Sequence, residues 1–243
     1  MKTIMKILVA IMLILHVVLV TECKPDDLPH DGGNSGTYNG HEYVDLGLPW
    51  GTLWATCNVG ANTPEEFGDY FAWGETEPKA TYDWNTYKYC EGDYNLLTKY
   101  VNKEMYCFNV DCLVYDTALY LLQEDDAATV NWGSGWCIPA DSLWHELYRN
   151  TTHSWTTQNG VSGMLFVGSN GNSIFLPAAG WYLAEDLRSD GYYGFYWSSY
   201  NQGTHRASSY CFCSNYSKEN YLCRYDGLSV RPVVPPRPVR SAQ

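Results

Sequence analysis

Glycine and proline set the terms on which this chain can fold. With 21 glycines and 11 prolines in 243 residues, its apolar runs are cut into short pieces. Few of them are long enough for a helix, which leaves strands and turns. HEYVDLGLPWGTLWATCNVG holds two strand-like runs, 42–46 and 52–59, divided by Gly47, Pro49 and Gly51. GMLFVGSNGNSIFLPAAG is two apolar runs joined by Ser169-Asn170-Gly171-Asn172, and Asn-Gly supplies the positive φ of a hairpin turn. GFYWSS, the stretch SSYCFCSNYSKENYLCRYDG at 208–227, and LSVRPV add further strand-like pieces. Pro232, Pro235, Pro236 and Pro238 stop pairing after them. Helical spacing is clear once: behind Pro139 and Asp141, Leu143, Trp144, Leu147 and Tyr148 recur along one face. A shorter helix is expected near 63–68, with Asn62 or Thr63 as N-cap, Pro64 at its first position and Glu65-Glu66 in its first turn. Gly68 limits it to one or two turns. The stretch 76–122 has no clear period and reads as a long aromatic loop.

The N-terminal end reads as an export signal over 1–22. Lys2 and Lys6 precede an apolar run at 7–20, about 21 Å long as a helix and short of the ~30 Å hydrocarbon core. Residues 23–40 are rich in Asp, Gly, Asn, Ser and Pro and read as a tether; 235–243 read as a proline-rich tail. The folded domain is expected over 41–234. A net charge of −12 argues against nucleic acid and anionic membrane surfaces as partners, since both favour basic patches. At 16% aromatic residues, the exported part carries too much ring surface to stay disordered.

Nine cysteines leave eight besides Cys23, an even number, and the sequence does not choose among bridged and free arrangements. Cys211 and Cys213 are two apart, so on a strand they share a face with diverging Cβ vectors and do not readily bond each other. No CxxC pair or histidine ligand pattern points to zinc, and no acidic loop has the oxygen set calcium needs. His41, His145, His153 and His205 stand in no known nucleophile–base arrangement. The expectation is therefore no cofactor, no metal and no enzymatic activity.

HEYVDLGLPWGTLWATCNVG, PEEFGDYFAWGE, DDAATVNWGSGWCIP, NGNSIFLPAAG, YWSS and GLSVRPV together resemble the Fibrobacter succinogenes major paralogous domain, in that family's order over about 41–233. The resemblance implies an α+β, C-type-lectin-like fold: a small mixed, mainly antiparallel sheet, two flanking helices and long loops. It also implies an exported protein, often a surface lipoprotein of gut bacteria. Cys23, followed by Lys24-Pro25-Asp26-Asp27, resembles the lipid acceptor of Bacteroidetes surface lipoproteins, although Glu22 departs from the small residue usual before it. The membrane would then be met only through that anchor. Trp132, Trp136 and Trp197 fall in family blocks and are expected in the core; Arg231 is expected to pair a buried carboxylate or cap carbonyls.

In the C-type lectin fold the last strands and their loops form the ligand face. That puts Tyr200, Asn201, His205, Ser208, Tyr210, Asn215, Tyr216, Tyr221 and Tyr225 forward as ligand-binding residues. Tyr with Ser and Asn suits such a face, offering contact area and polar tips at little rotamer entropy. Neither Ser208, Tyr210, Phe212, Ser214 nor Ser209, Cys211, Cys213, Asn215 reads as an aliphatic core stripe, which again suits a surface. The expected function is noncovalent binding of a protein or glycan. The resemblance extends to retroelement variable proteins, whose ligand face is rewritten at asparagine codons. Composition at 200–228 does not discriminate here, because the residue types such codons exclude are infrequent throughout the chain. The alternatives are a fibre or pilus component contacting through the 82–100 loop and the proline tail, and an oxidising enzyme using Cys211 and Cys213.

Overall fold

A computed structural model describes residues 35–101, 118–203 and 205–236. The stretch read as an export signal, Cys23, the first part of the expected tether, Cys107, Cys112 and the end of the expected tail lie outside the described residues. In chain order the strands are β1 (Ser35–Tyr38), β2 (His41–Asp45), β3 (Leu53–Ala55) and β4 (Tyr70–Phe71). Two helices follow, α1 (Ala127–Trp132) and α2 (Asp141–Asn150). Then come β5 (Thr152–Gln158), β6 (Val161–Val167), β7 (Ser173–Pro177), β8 (Trp181–Leu183) and β9 (Asp186–Arg188). The chain closes with β10 (Gly194–Asn201), β11 (Arg206–Phe212), β12 (Ser217–Cys223), β13 (Leu228–Ser229) and β14 (Val233–Val234). The class is mixed α+β with mostly antiparallel sheets.

The central sheet runs β12-β11-β10-β13-β4, with one parallel pairing, β10 beside β13. Alternation along β10 sends Tyr196 to one side and Phe195 and Trp197 to the other. Tyr196 joins Trp54, Phe166, Leu176 and the α2 residues Leu143, Trp144 and Leu147 in one core. Phe195 and Trp197 join Phe71, Trp73 and Tyr82 in a second. Each such side chain contributes roughly 1.5–3 kcal/mol on burial, so the sheet is stabilised from both faces. Smaller sheets, β1-β2-β3-β14 and β5-β6-β7, flank it. Arg231 is fully buried and caps carbonyls: it donates to Ala55 O, Thr56 O and Phe175 O at 2.9–3.1 Å, and to Asn58 Oδ1 at 2.8 Å. Trp132, Trp136 and Trp197 are core residues, and α2 and the 169–172 turn form where the sequence puts them.

Two expectations change, and a third gains its physical reason. The tether does not reach residue 40: β1 pairs with β2 through Asn39-Gly40, both at positive φ (48° and 82°), and buried Tyr38 packs on Trp136. No helix forms at 63–68; the segment is a β-turn, with Glu66 N–H donating to Thr63 O at 3.2 Å. Asn58 Nδ2 claims Phe67 O, Asp69 N–H returns to Val59 O, and Gly68 sits at φ 70°, which together turn the chain away from helix. The described part of the aromatic stretch is irregular, as a loop is, and much of it is packed into the core. Tyr82, Tyr87 and Tyr100 are in the core, their hydroxyls donating to Tyr70 O, Trp73 O and Asp125 Oδ2. Buried tyrosines with satisfied tips supply the physical reason for a long irregular segment.

Candidate functional site

Strands β10 to β12 end in loops that converge with the 82–100 segment. β10 is irregular near its end: Trp197 pairs with Ser209, but Asn201 pairs with Ala207, so Ser198–Tyr200 form a bulge. The bulge turns backbone groups outward, where Leu121 N–H donates to Ser199 O (3.0 Å) and Asn201 N–H donates to Leu119 O (2.8 Å). Tyr120 is thereby laid beside Tyr200, ring centroids 5.4 Å apart.

Arg224, just past β12, pins this end from beneath. Fully buried, it donates to Tyr100 O (2.8 Å), Gly203 O (2.6 Å), Lys99 O (3.3 Å) and Asn201 Oδ1 (2.5 Å), and its guanidinium lies 5.1 Å from the Trp73 ring centre. Asn201 returns a bond from Nδ2 to Tyr100 O. One cation thus joins the loop after β10, the turn after β12 and the aromatic segment. Asp125 fixes the far side of that segment, accepting from Tyr89, Tyr100 and Lys99; these donors hold its carboxyl below the usual range although burial opposes them.

Rings stand on this frame. Trp84 meets Tyr225 edge-on at 4.8 Å and Tyr94 at 6.0 Å; Tyr94 in turn packs on His205 at 5.6 Å. Burial, Arg206 and Arg224 hold the His205 imidazole below its ordinary value. Tyr94 is 47% exposed and Tyr120 52% exposed, with Leu96 and Leu122 open beside them in sequence. The result is an aromatic face, polar at its tips, on a backbone fixed by buried hydrogen bonds.

The nine residues singled out from the sequence do not share one surface. Tyr200, His205 and Tyr225 join this loop-end face. Asn201 and Ser208 are fully buried, Ser208 Oγ donating to Asp141 Oδ1 at 2.7 Å. Tyr210 is buried too, stacked flat on Trp144 at 5.0 Å. None of these three is available to a partner; they hold the fold. Asn215 and Tyr216 sit at the opposite end of β12, roughly 20 Å away along a seven-residue strand. Tyr221 lies on the sheet edge, its hydroxyl donating to Glu219. The sequence reading omits Trp84, Tyr94 and Tyr120 from the face. For Trp84 and Tyr94 the signal was rings interleaved with Asp, Asn and Gly in the 82–100 stretch, expected only in an assembly role; Tyr120 lies outside that stretch and carried no such signal.

Cys57, Cys90, Cys137, Cys211, Cys213 and Cys223 are free thiols, and burial pushes Cys211 up to about 12. The surface or half-buried placing expected for Cys211 and Cys213 is therefore corrected: both are buried. Among the described residues no group of three or more His, Cys, Asp or Glu side chains is arranged to hold a metal ion. No family model matches the chain, and no curated protein and no solved structure matches it either.

Proposed function

We propose that this protein is an exported, lipid-anchored binding module of C-type-lectin-like fold, whose loop-end aromatic face holds a protein or glycan partner noncovalently. The observation that carries this reading is the combination of exposed rings, Tyr94 and Tyr120, with a backbone immobilised by Arg224 and Asp125. Rigid aromatic anchors lose little entropy on binding and bury much surface. The motif resemblance supports the fold, and the export features around Cys23 support the location. Buried, protonated thiols weigh against thiol chemistry, which needs a thiolate.

A glycan array and a panel of purified extracellular proteins test the reading. At least one saturable ligand is expected, weakened tenfold or more by Tyr94→Asp and by Tyr120→Asp with thermal unfolding unchanged. Ligands held equally well by both variants would end it. Mass spectrometry of the exported protein reads the anchor directly: a diacylated Cys23 at the N-terminus is expected, and an unmodified one refutes it. Diversification by a retroelement is a separable part of the proposal. It requires a neighbouring reverse transcriptase gene and a near-copy template for codons 196–232; a locus with neither removes it.

A further inference from the structure

A second site lies away from the loop-end face, where the turn between β2 and β3 meets α2. Trp50 sits at the tip of that turn with its side chain 54% exposed. Its backbone, by contrast, is clamped. Gly51 N–H closes the turn on Leu48 O at 2.9 Å. The buried Glu146 carboxylate accepts the Trp50 N–H on one oxygen and the Thr52 hydroxyl on the other, both at 2.5 Å. A buried carboxylate with both oxygens engaged is a strong local constraint, since losing either donor leaves charge unpaired away from water.

Trp50 and α2 line a groove of about 400 Å³, with Pro49, Ser142, His145, Arg149 and Asn150 around it and Glu146, its carboxylate already engaged by the Trp50 N–H and the Thr52 hydroxyl, at its wall. That volume falls within the range of small-ligand sites and matches one or two sugar rings. Ser142, His145 and Arg149 are three and four residues apart, so they line one helix face. Asn150 spends its amide N–H on Glu146 O, leaving Oδ1 as an acceptor. Arg149 makes no hydrogen bond or ion pair among the described residues, although acidic residues outnumber basic ones in the chain, 27 to 15. A guanidinium and an aromatic plate lining one groove, with hydroxyl and amide groups around them and the His145 Nε2 turned to Glu219 Oε2 at 3.6 Å, are complementary to a particular chemistry. The apolar face of a pyranose ring covers the indole, a carboxylate on the ring meets the guanidinium, and ring hydroxyls meet the remaining groups.

We propose that this groove binds an acidic sugar unit of a glycan, a hexuronate or a chemically equivalent carboxylated pyranose. The reading is independent of the loop-end face: neither Trp50 nor any α2 residue contributes to that face.

Titration of the purified protein with a trigalacturonate, followed by calorimetry and by the indole N–H resonances in NMR, tests it. Saturable binding is expected, with one indole resonance shifting and that resonance absent from Trp50→Phe. Trp50→Ala and Arg149→Ala are each expected to weaken binding at least tenfold. Both side chains are exposed, and unchanged thermal unfolding of the variants checks that the fold is kept. The neutral galactose trisaccharide is expected to bind at least tenfold more weakly. Tyr94→Asp is expected to leave the titration unchanged, which separates this site from the loop-end face. Absence of saturable binding, equal affinity for the neutral trisaccharide, or full affinity in Trp50→Ala would each overturn the assignment. A titration abolished by Tyr94→Asp would move the sugar to the other face and equally refute it.

Discussion

Strands β11 and β12 come from one stretch of similar composition, rich in Ser, Tyr, Cys and Asn, and meet opposite fates. In β11 every residue from Ala207 to Phe212 is buried; in β12 no residue is. The cause is place in the sheet. β11 lies between β10 and β12, with α2 and its core on one side and the Trp197 core on the other. β12 is the edge and has a neighbour on one side only. Its Lys218 and Glu219 are charges of the kind that keep an edge from pairing with another chain. Strand order therefore decides whether a tyrosine is buried or open to solvent.

The widest test of that contrast is at Arg224, where the edge strand's chain turns inward. Arg224→Ala strips a donor from Lys99 O, Gly203 O and Asn201 Oδ1, leaves Tyr100 O only its bond from Asn201, and opens a void under Trp73. At about 1–3 kcal/mol per buried unsatisfied group, the loss is expected to reach about 5 kcal/mol. Denaturant unfolding measures it. A loss below about 1 kcal/mol would mean the loop end is held by something else.

Next come the two tyrosines themselves. Tyr210→Ala removes a ring stacked on Trp144 and leaves a cavity between β11 and α2; the expected cost is about 3–5 kcal/mol. Tyr221→Ala on the edge is expected to cost no more than about 0.5 kcal/mol. Equal costs in urea unfolding would erase the distinction between the strands.

These residues also explain what could be read from the sequence. The periodicity of α2 and the turn at 169–172 are local features, written in neighbouring residues. β1 was equally local: Asn39-Gly40 carries the same turn chemistry, hidden inside a stretch whose Gly, Asp and Asn content resembles a linker. Tyr210 and Ser208 were not legible, because alternation tells the faces of a strand apart but not how many of them are covered. In β11 both are, and Cys, Ser and Ala serve as small core residues beside large rings. Arg224 was beyond reach for a related reason. Its partners lie 21 to 125 residues away, and only the fold brings their carbonyls together.

A smaller effect sets a pH signature on the turn after β12. Burial pushes the Asp226 carboxyl up to about 7, although the Cys223 N–H and Arg206 favour its charged form. Unfolded, it titrates near ~3.9, so between about pH 4 and 7 the folded chain keeps a proton that the unfolded chain has lost. Stability contributed by this group is therefore lost as pH rises through that window. Asp126, pushed up to about 6 by burial against three backbone N–H donors, acts in the same direction. Asp226→Asn retains an oxygen for the Cys223 N–H and removes one titration. It is expected to raise Tm by about 5 °C at pH 8 and leave it unchanged at pH 4.5. Scanning calorimetry at the two pH values decides; an equal shift at both would assign the effect to packing instead of charge.

The finest test makes one substitution in both strands. The Tyr210 hydroxyl is buried and makes no hydrogen bond, Ser217 being a polar neighbour outside bonding geometry. A buried hydroxyl without a partner is a net cost, so Tyr210→Phe is expected to stabilise the protein by about 1 kcal/mol. On the edge, the Tyr221 hydroxyl donates to Glu219 at 2.5 Å in a setting open to water, where such a bond adds little. Tyr221→Phe is expected to lower stability by a few tenths of a kcal/mol at most. The two changes delete the same atom from neighbouring strands, so unfolded-state effects largely cancel and the sign of the difference reports the folded environment alone. A gain at residue 210 and none at 221 is what an interior strand beside an edge strand requires; a loss at 210 would mean that its hydroxyl has a partner after all, and that β11 is less sealed than its neighbours make it.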